Sequence, residues 1–183
     1  MSNVWVIADL HLNHAKVLEF EASRNHFRDI KEHDDEILLR LHQYVRPDDV
    51  LLILGDLYFG KADDYFESCM RRIPGKPQLI MGNHDHFEHN EYLQWFTRIS
   101  AYKQKYGMIF SHIPIHPSSM DRWDLNVHGH LHSEKVQIAY RQRGWDTEVN
   151  DTRYLCVSVE TKAPEIGRPW HIDEIKQKFK DTR

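Results

Sequence analysis

The chain lacks the features that would commit it to a membrane, a secretory route or a long nucleic acid. Its longest unbroken aliphatic run, Val50–Leu54, is five residues, whereas a spanning helix needs about 20. No basic segment precedes a long apolar stretch at the N-terminus, so no secretory leader is expected and the chain reads as cytoplasmic. Only two cysteines are present, Cys69 and Cys156. They read as free, buried thiols rather than as a disulfide or a thiolate metal site. Basic charge is scarce as well. Residues 1–132 carry 14 Lys and Arg against 19 Asp and Glu, and residues 133–183 carry 10 against 9. No basic stripe marks an extended nucleic-acid footprint, though a short nucleotide is compatible with that balance. Neither an internal repeat nor a low-complexity stretch is present.

What is there describes a globular protein. Hydrophobic residues make 40% and charged residues 28% of 183 residues. At about 150 residues per domain the expectation is one domain, residues 1–183. A chain of this mass can bury about 70% of its unfolded surface, enough for a core without staples. The unusual count is 14 histidines.

Apolar runs at Val4–Ala8, Val50–Leu54, Gln78–Met81, Met108–Phe110, Leu125–Val127 and Tyr154–Val159 predict strands. The first two lack polar alternation, as strands covered on both faces do. Tyr102–Lys105 with Tyr106-Gly107 predicts a hairpin into Met108. Between these runs, Asp29 followed by Glu32 starts a helix that Pro47 limits. Ala62–Arg72, Glu88–Phe96 and Ile172–Phe179 predict three more. Lys135–Tyr140 reads as a strand and Arg141–Asn150 as a polar surface loop. The class is therefore α/β.

Five of the strands run directly into polar residues. Val4–Ala8 leads to Asp9-Leu10-His11, and Val50–Leu54 to Gly55-Asp56. Gln78–Met81 leads to Gly82-Asn83-His84-Asp85, Met108–Phe110 to Ser111-His112, and Leu125–Val127 to His128-Gly129-His130-Leu131-His132. The carboxyl ends of strands are where α/β sheets bind ligands. Gly55, Gly82 and Gly129 supply the tight turns that aim side chains off a strand end. Taken singly, an Asp-x-His or a Gly-Asp is an ordinary turn. Five in order are not. Asp, His and Asn without Cys make a borderline-hard donor set for Mn²⁺, Fe or Zn²⁺. Seven such donors exceed the four of one tetrahedral ion and suit two ions sharing a carboxylate. Two ions about 3.5–4 Å apart clamp the attacking and leaving oxygens of a phosphoryl displacement.

The series Asp9-x-His11, Gly55-Asp56, Gly82-Asn83-His84-Asp85, His112 and Gly129-His130-x-His132 resembles the calcineurin-like metallophosphoesterase superfamily. Within the superfamily it looks like the small, uncapped bacterial and phage-type members, and His14 and the stretch from Gly55 to Gly60 resemble one subgroup of these. The resemblance implies a four-layer α/β/β/α sandwich of two mixed sheets. It implies a first metal on Asp9, His11, Asp56 and His132, and a second on Asp56, Asn83, His112 and His130. Two divalent ions per chain follow, with Mn favoured and Fe, Zn or Ni as alternatives. It gives His84 the role of catalytic histidine and Asp85 that of the carboxylate orienting it. His14 and Arg24, just after the first motif, are candidates for substrate contact.

The reaction expected is in-line hydrolysis of a phosphate ester by metal-activated hydroxide, the ester being a small or cyclic nucleotide in one version. Two divalent ions, Asp9, Asp56 and one hydroxide leave a net +1, which matches a diester better than a monoester dianion. A phosphomonoesterase, a nuclease and a protein-binding scaffold that keeps the site without using it are the rivals. His84 argues against the scaffold, which has no use for it.

Overall fold

The computed structural model describes residues 2–142 and 145–181, with eleven strands and five α-helices numbered here in chain order. β1 (Val4–Ile7), β2 (Val50–Leu54), β3 (Lys76–Ile80) and β4 (Arg98–Ser100) form a parallel sheet, and β11 (Trp170–His171) joins it antiparallel to β1. A second sheet runs in the order β10 (Tyr154–Cys156), β7 (Leu125–His128), β6 (Met108–Ser111), β5 (Tyr102–Lys105). It is parallel except for β5, which is the predicted hairpin partner of β6.

Side chains alternate across the first sheet, and both faces are buried. Val6, Ala8, Leu52, Leu54 and Ile80 meet Met108, Phe110, Leu125 and Val127 of the second sheet. Ile7, Leu51, Ile53 and Leu79 face the other way, onto Ile37, Leu38 and Leu41 of α2 (Ile30–Tyr44) and Phe66 and Met70 of α3 (Asp64–Arg71). This two-sided burial is why the sequence of β1 and β2 shows no polar alternation.

Caps set the helix starts. The Asp29 carboxylate accepts the Glu32 amide at 2.9 Å. Asp63 accepts that of Phe66 at 2.9 Å, so α3 begins two residues later than expected. α4 (His89–Leu93) is shorter than the predicted segment and carries a Glu88–Glu91 capping box. α5 (Ile172–Asp181) sends Ile172 and Ile175 into the core between the sheets. The outer face of the second sheet is covered by the β6–β7 crossover, whose helical piece is the 3-10 turn Pro117–Arg122. Asn126, which accepts the Ile115 amide at 2.9 Å, and the Tyr154 hydroxyl, which donates to the Ile115 carbonyl at 2.8 Å, pin it there. The fourth layer of the sandwich is thus thin.

Two expectations need correction. Arg141–Asn150 is not a loop. Trp145–Asn150 forms β9, which pairs with β8 (Gln137–Gln142) in a ribbon apart from both sheets. Residues 143 and 144 of that segment lie outside the described residues. Residues 147–150 are all exposed, so no core imposes the apolar alternation that marks a strand. Pairing of the last predicted strand stops at Cys156, and the chain then crosses between the sheets. The Val157 amide donates to His128 (2.8 Å), that of Ala8 to Val157 (3.1 Å) and that of Val159 to Ala8 (3.2 Å). Among the described residues, no helix is long and apolar enough to cross a membrane.

Candidate metal centre

The seven donors converge where β1, β2, β3, β6 and β7 end. Asp9, His11 and His132 offer ligand atoms within 4.8 Å of one another, and so do Asp56, His112 and His130. Asn83 joins the second group, its side-chain oxygen 2.9 Å from His112 Nε2. Asp56 stands between the groups. Its Oδ2 lies 3.7 Å from His11 Nε2 and its Oδ1 lies 3.3 Å from His112 Nε2.

The backbone is bent to achieve this. Asp9, His11, Asp56, His130 and His132 all have φ between 50° and 68°. Outside glycine that conformation is uncommon, and such strain concentrates at functional sites. Space is just as tight. A Cβ on Gly82 would sit 2.5 Å from the Asp56 amide nitrogen, and one on Gly129 would sit 2.6 Å from Asp9 Oδ2.

Buried partners orient each donor. The Asp9 carboxylate accepts the His130 amide at 3.0 Å and the Ser158 hydroxyl. Asp56 Oδ1 accepts the His84 amide at 3.0 Å. His112 Nδ1 donates to the Leu54 carbonyl at 2.7 Å, which turns Nε2 toward Asp56 and Asn83. His132 Nδ1 donates to Glu160 at 3.0 Å, which leaves Nε2 as its free nitrogen. A second acceptor of this kind fixes the tautomer of a metal-binding imidazole.

Electrostatics shows how unsettled the pocket is by itself. Burial pushes the Asp9 carboxyl up to about 6. Burial pushes His11 far below its usual value, helped by the Arg24 charge. At His112 burial works the same way, but hydrogen bonding and attraction from Asp56 and Asp9 prevail and raise it. His11 Nε2 is buried without a hydrogen-bond partner. An orphaned imidazole nitrogen among carboxylate, imidazole and amide oxygen donors fits a divalent cation of borderline hardness.

A model of the family described as calcineurin-like phosphoesterase matches residues 2–175. The chain belongs to the calcineurin-like phosphoesterase family. The Gene 66 protein of Mycobacterium phage L5 is 30% identical, over 74% of this chain and 80% of its own. The protein of the same name from phage D29 is 38% identical over 46% of this chain and 41% of its own. Among solved structures, a protein of unknown function from Aquifex aeolicus, AQ665, superposes with a TM-score of 0.68 at 23% identity. That match covers 97% of this chain and 99% of the other.

This phosphoesterase departs from the expected roles at two positions. Arg24 does not reach toward substrate. It is fully buried, donating to the Asp9 carbonyl (2.7 Å), the Leu10 carbonyl (3.2 Å) and Glu160 (2.6 Å), with His33 at 3.1 Å. Asp85 does not orient the His84 ring. Its carboxylate accepts the amides of Asp56 (2.9 Å), Leu57 (2.9 Å) and Gly82 (2.7 Å), and so ties the second motif to the third. His14 does lie at the site, half-buried, with its Nδ1 3.1 Å from His11 Nδ1. His84 belongs to neither donor group. Its ring centroid is 6.0 Å from that of His11 and 4.7 Å from that of Phe59.

Ser158 and Glu160, the partners of Asp9 and His132, were not singled out from the sequence. Both lie at the end of the Tyr154–Val159 run, so the strand-end rule applied to that sixth run points to them. Cys156 donates to the His132 carbonyl at 3.3 Å, and burial pushes its thiol up to about 12. That makes it a structural thiol.

Proposed function

We propose that this phosphoesterase is a dinuclear phosphodiesterase, with Asp56 bridging two divalent cations, Mn²⁺ by preference. The observation that carries the reading is the placement of Asp56, each of whose oxygens faces a different donor group. Asp9, His11 and His132 would hold one cation, and Asn83, His112 and His130 the other. Two bound cations supply Lewis acidity and a water acidic enough to act as hydroxide near neutral pH. The chain's own residues do the rest. His84, held by its amide on Asp56, faces the phosphoryl group and hands a proton or a hydrogen bond to the leaving oxygen. Asp85 holds the loops on which Asp56 and His84 sit. Ser158 and Glu160 fix the rotamers of Asp9 and His132.

A diester is favoured because Arg24, the cation expected to contact substrate, is sequestered within the protein. A dianionic monoester cannot then draw on Arg24 to neutralise its second charge. The test strips the protein of metal, restores Mn²⁺, and compares kcat/KM for bis(p-nitrophenyl) phosphate and p-nitrophenyl phosphate. A clear preference for the diester is expected, with two ions bound per chain. Preference for the monoester would overturn the diester reading. One ion at full activity would overturn the dinuclear one.

A further inference from the structure

With Arg24 turned inward, a row of rings lines one side of the candidate centre, next to Glu21, whose Oε1 lies 4.0 Å from His132 Nδ1. Phe20 closes α1 (Val17–Phe20) and is 56% exposed. A single exposed phenylalanine is ordinary; this one has site imidazoles for neighbours. Its ring lies 6.1 Å from that of His132, edge-on at 89°, and 5.7 Å from that of His14. Beyond it the His14 ring stacks on Phe59 at 3.7 Å and 7°, and Phe59 reaches His84 at 4.7 Å. Rings therefore run without a break from Phe20 to His84, along one side of the donors. The segment carrying Phe20 is anchored to the first motif. The His14 amide donates to His11 (3.1 Å), that of Val17 to His14 (2.9 Å), and the Val17 side chain is fully buried. Phe20 is thus held at a fixed place beside the centre, with half its surface open to solvent.

We infer that Phe20 is a stacking shelf for the non-leaving arm of the substrate, so the phosphodiester taken carries a planar aromatic arm, a nucleoside or an aryl group. The inference rests on the phosphodiesterase reading above. Stacking suits this place. Each base offers a π face whatever its edge, and such a contact changes affinity by about 5- to 150-fold. Selectivity would lie in the flatness of the arm rather than in its sequence.

Two esters with the same leaving group decide it: thymidine 5′-(p-nitrophenyl phosphate) and methyl p-nitrophenyl phosphate, each hydrolysed with Mn²⁺. Wild type should prefer the thymidine ester in kcat/KM by about tenfold or more. Phe20→Ala should collapse that ratio toward one, mainly through KM, and Phe20→Tyr should restore it. Phe20→Leu should not, because it keeps apolar area but no ring. Equal losses on both esters in Phe20→Ala would overturn the inference and make Phe20 a packing partner of His132. A ratio retained by Phe20→Leu would also overturn it, in favour of any greasy arm. In parallel, binding of thymidine 5′-monophosphate and of inorganic phosphate to the Mn²⁺-loaded protein is measured. If neither diester is cleaved but Phe20→Ala still loses thymidylate binding alone, the shelf stands and the phosphodiesterase reading falls.

Discussion

Glu160 holds two opposite demands in one buried carboxylate. Its Oε1 accepts from His132 Nδ1 and from Arg24 together, and Arg24 in turn clamps the carbonyls of Asp9 and Leu10. The pair therefore braces both ends of the first donor group, the Asp9 turn and the His132 ring. Changing Glu160 to Gln keeps one acceptor but removes the charge opposite Arg24. It should weaken metal affinity by about 10- to 100-fold, the usual loss when the partner of a ligating histidine is altered. Calorimetric titration of metal-free protein with Mn²⁺ reads this, and unaltered affinity would show that His132 needs no brace. His84→Ala should behave oppositely. Two cations should still bind, while kcat drops about 10²- to 10⁴-fold, the range of an acid or hydrogen-bond contribution. Loss of metal in that variant would place His84 among the ligands. At this scale the motifs themselves were legible, because Asp, His and Asn at strand ends announce their chemistry by type. Roles were less so. Nothing in the sequence says that Arg24 points inward or that Asp85 spends its oxygens on three amides, since both depend on where distant loops close.

Asp49 does for the start of the first sheet what Asp85 does for the site. Its carboxylate accepts the Asn3 amide at 2.7 Å, the Trp5 indole N–H at 3.1 Å and the Arg46 amide at 3.1 Å. It thereby joins the entries of β1 and β2 to the turn after α2. Burial would raise this carboxyl, but the donors outweigh it and hold it below its usual value. A depressed carboxyl adds stability that is present above the unfolded value of about 3.9 and is lost as pH falls through the lower, folded value. Asp49→Asn turns an amide NH₂ toward a donor and should cost about 1–3 kcal/mol at pH 7. That corresponds to a fall in Tm of about 2–12 °C for a chain of this length. The gap to wild type should narrow once pH drops below about 4. A gap that is constant from pH 7 to pH 3 would show that charge has no part in it. Strands buried on both faces were legible as elements because their apolar runs are unbroken. β9 was not, because its residues 147–150 are all exposed and no buried face imposes a period of two on them. β4 and β11 were missed as well. Each is two or three residues long, and its place is fixed by a neighbouring strand rather than by its own pattern.

The two sheets meet twice, once through their apolar faces and once through the candidate centre. Asp9, His11, Asp56 and Asn83 follow strands of the first sheet, whereas His112, His130 and His132 follow strands of the second. Each donor group takes members from both. A cation in either group is then a cross-link between sheets, made at the end where the 157–159 segment also crosses. Without one, buried carboxylates and imidazoles face each other with His11 Nε2 unpartnered, and that end of the sandwich should be the less stable. Occupancy adds to stability by mass action, about 2.7 kcal/mol for one site at a hundredfold excess over Kd. For a domain of this size that is a rise in Tm of about 5–10 °C per site. Thermal unfolding in EDTA and in Mn²⁺ should show it. His132→Ala and His112→Ala, each breaking one group, should each keep only part of the rise, and Asp56→Asn, which serves both, should lose most of it. If Tm were the same in EDTA and in Mn²⁺ while Mn²⁺ was shown to bind, the ions would bind the unfolded chain as tightly as the fold. The centre would then hold nothing together.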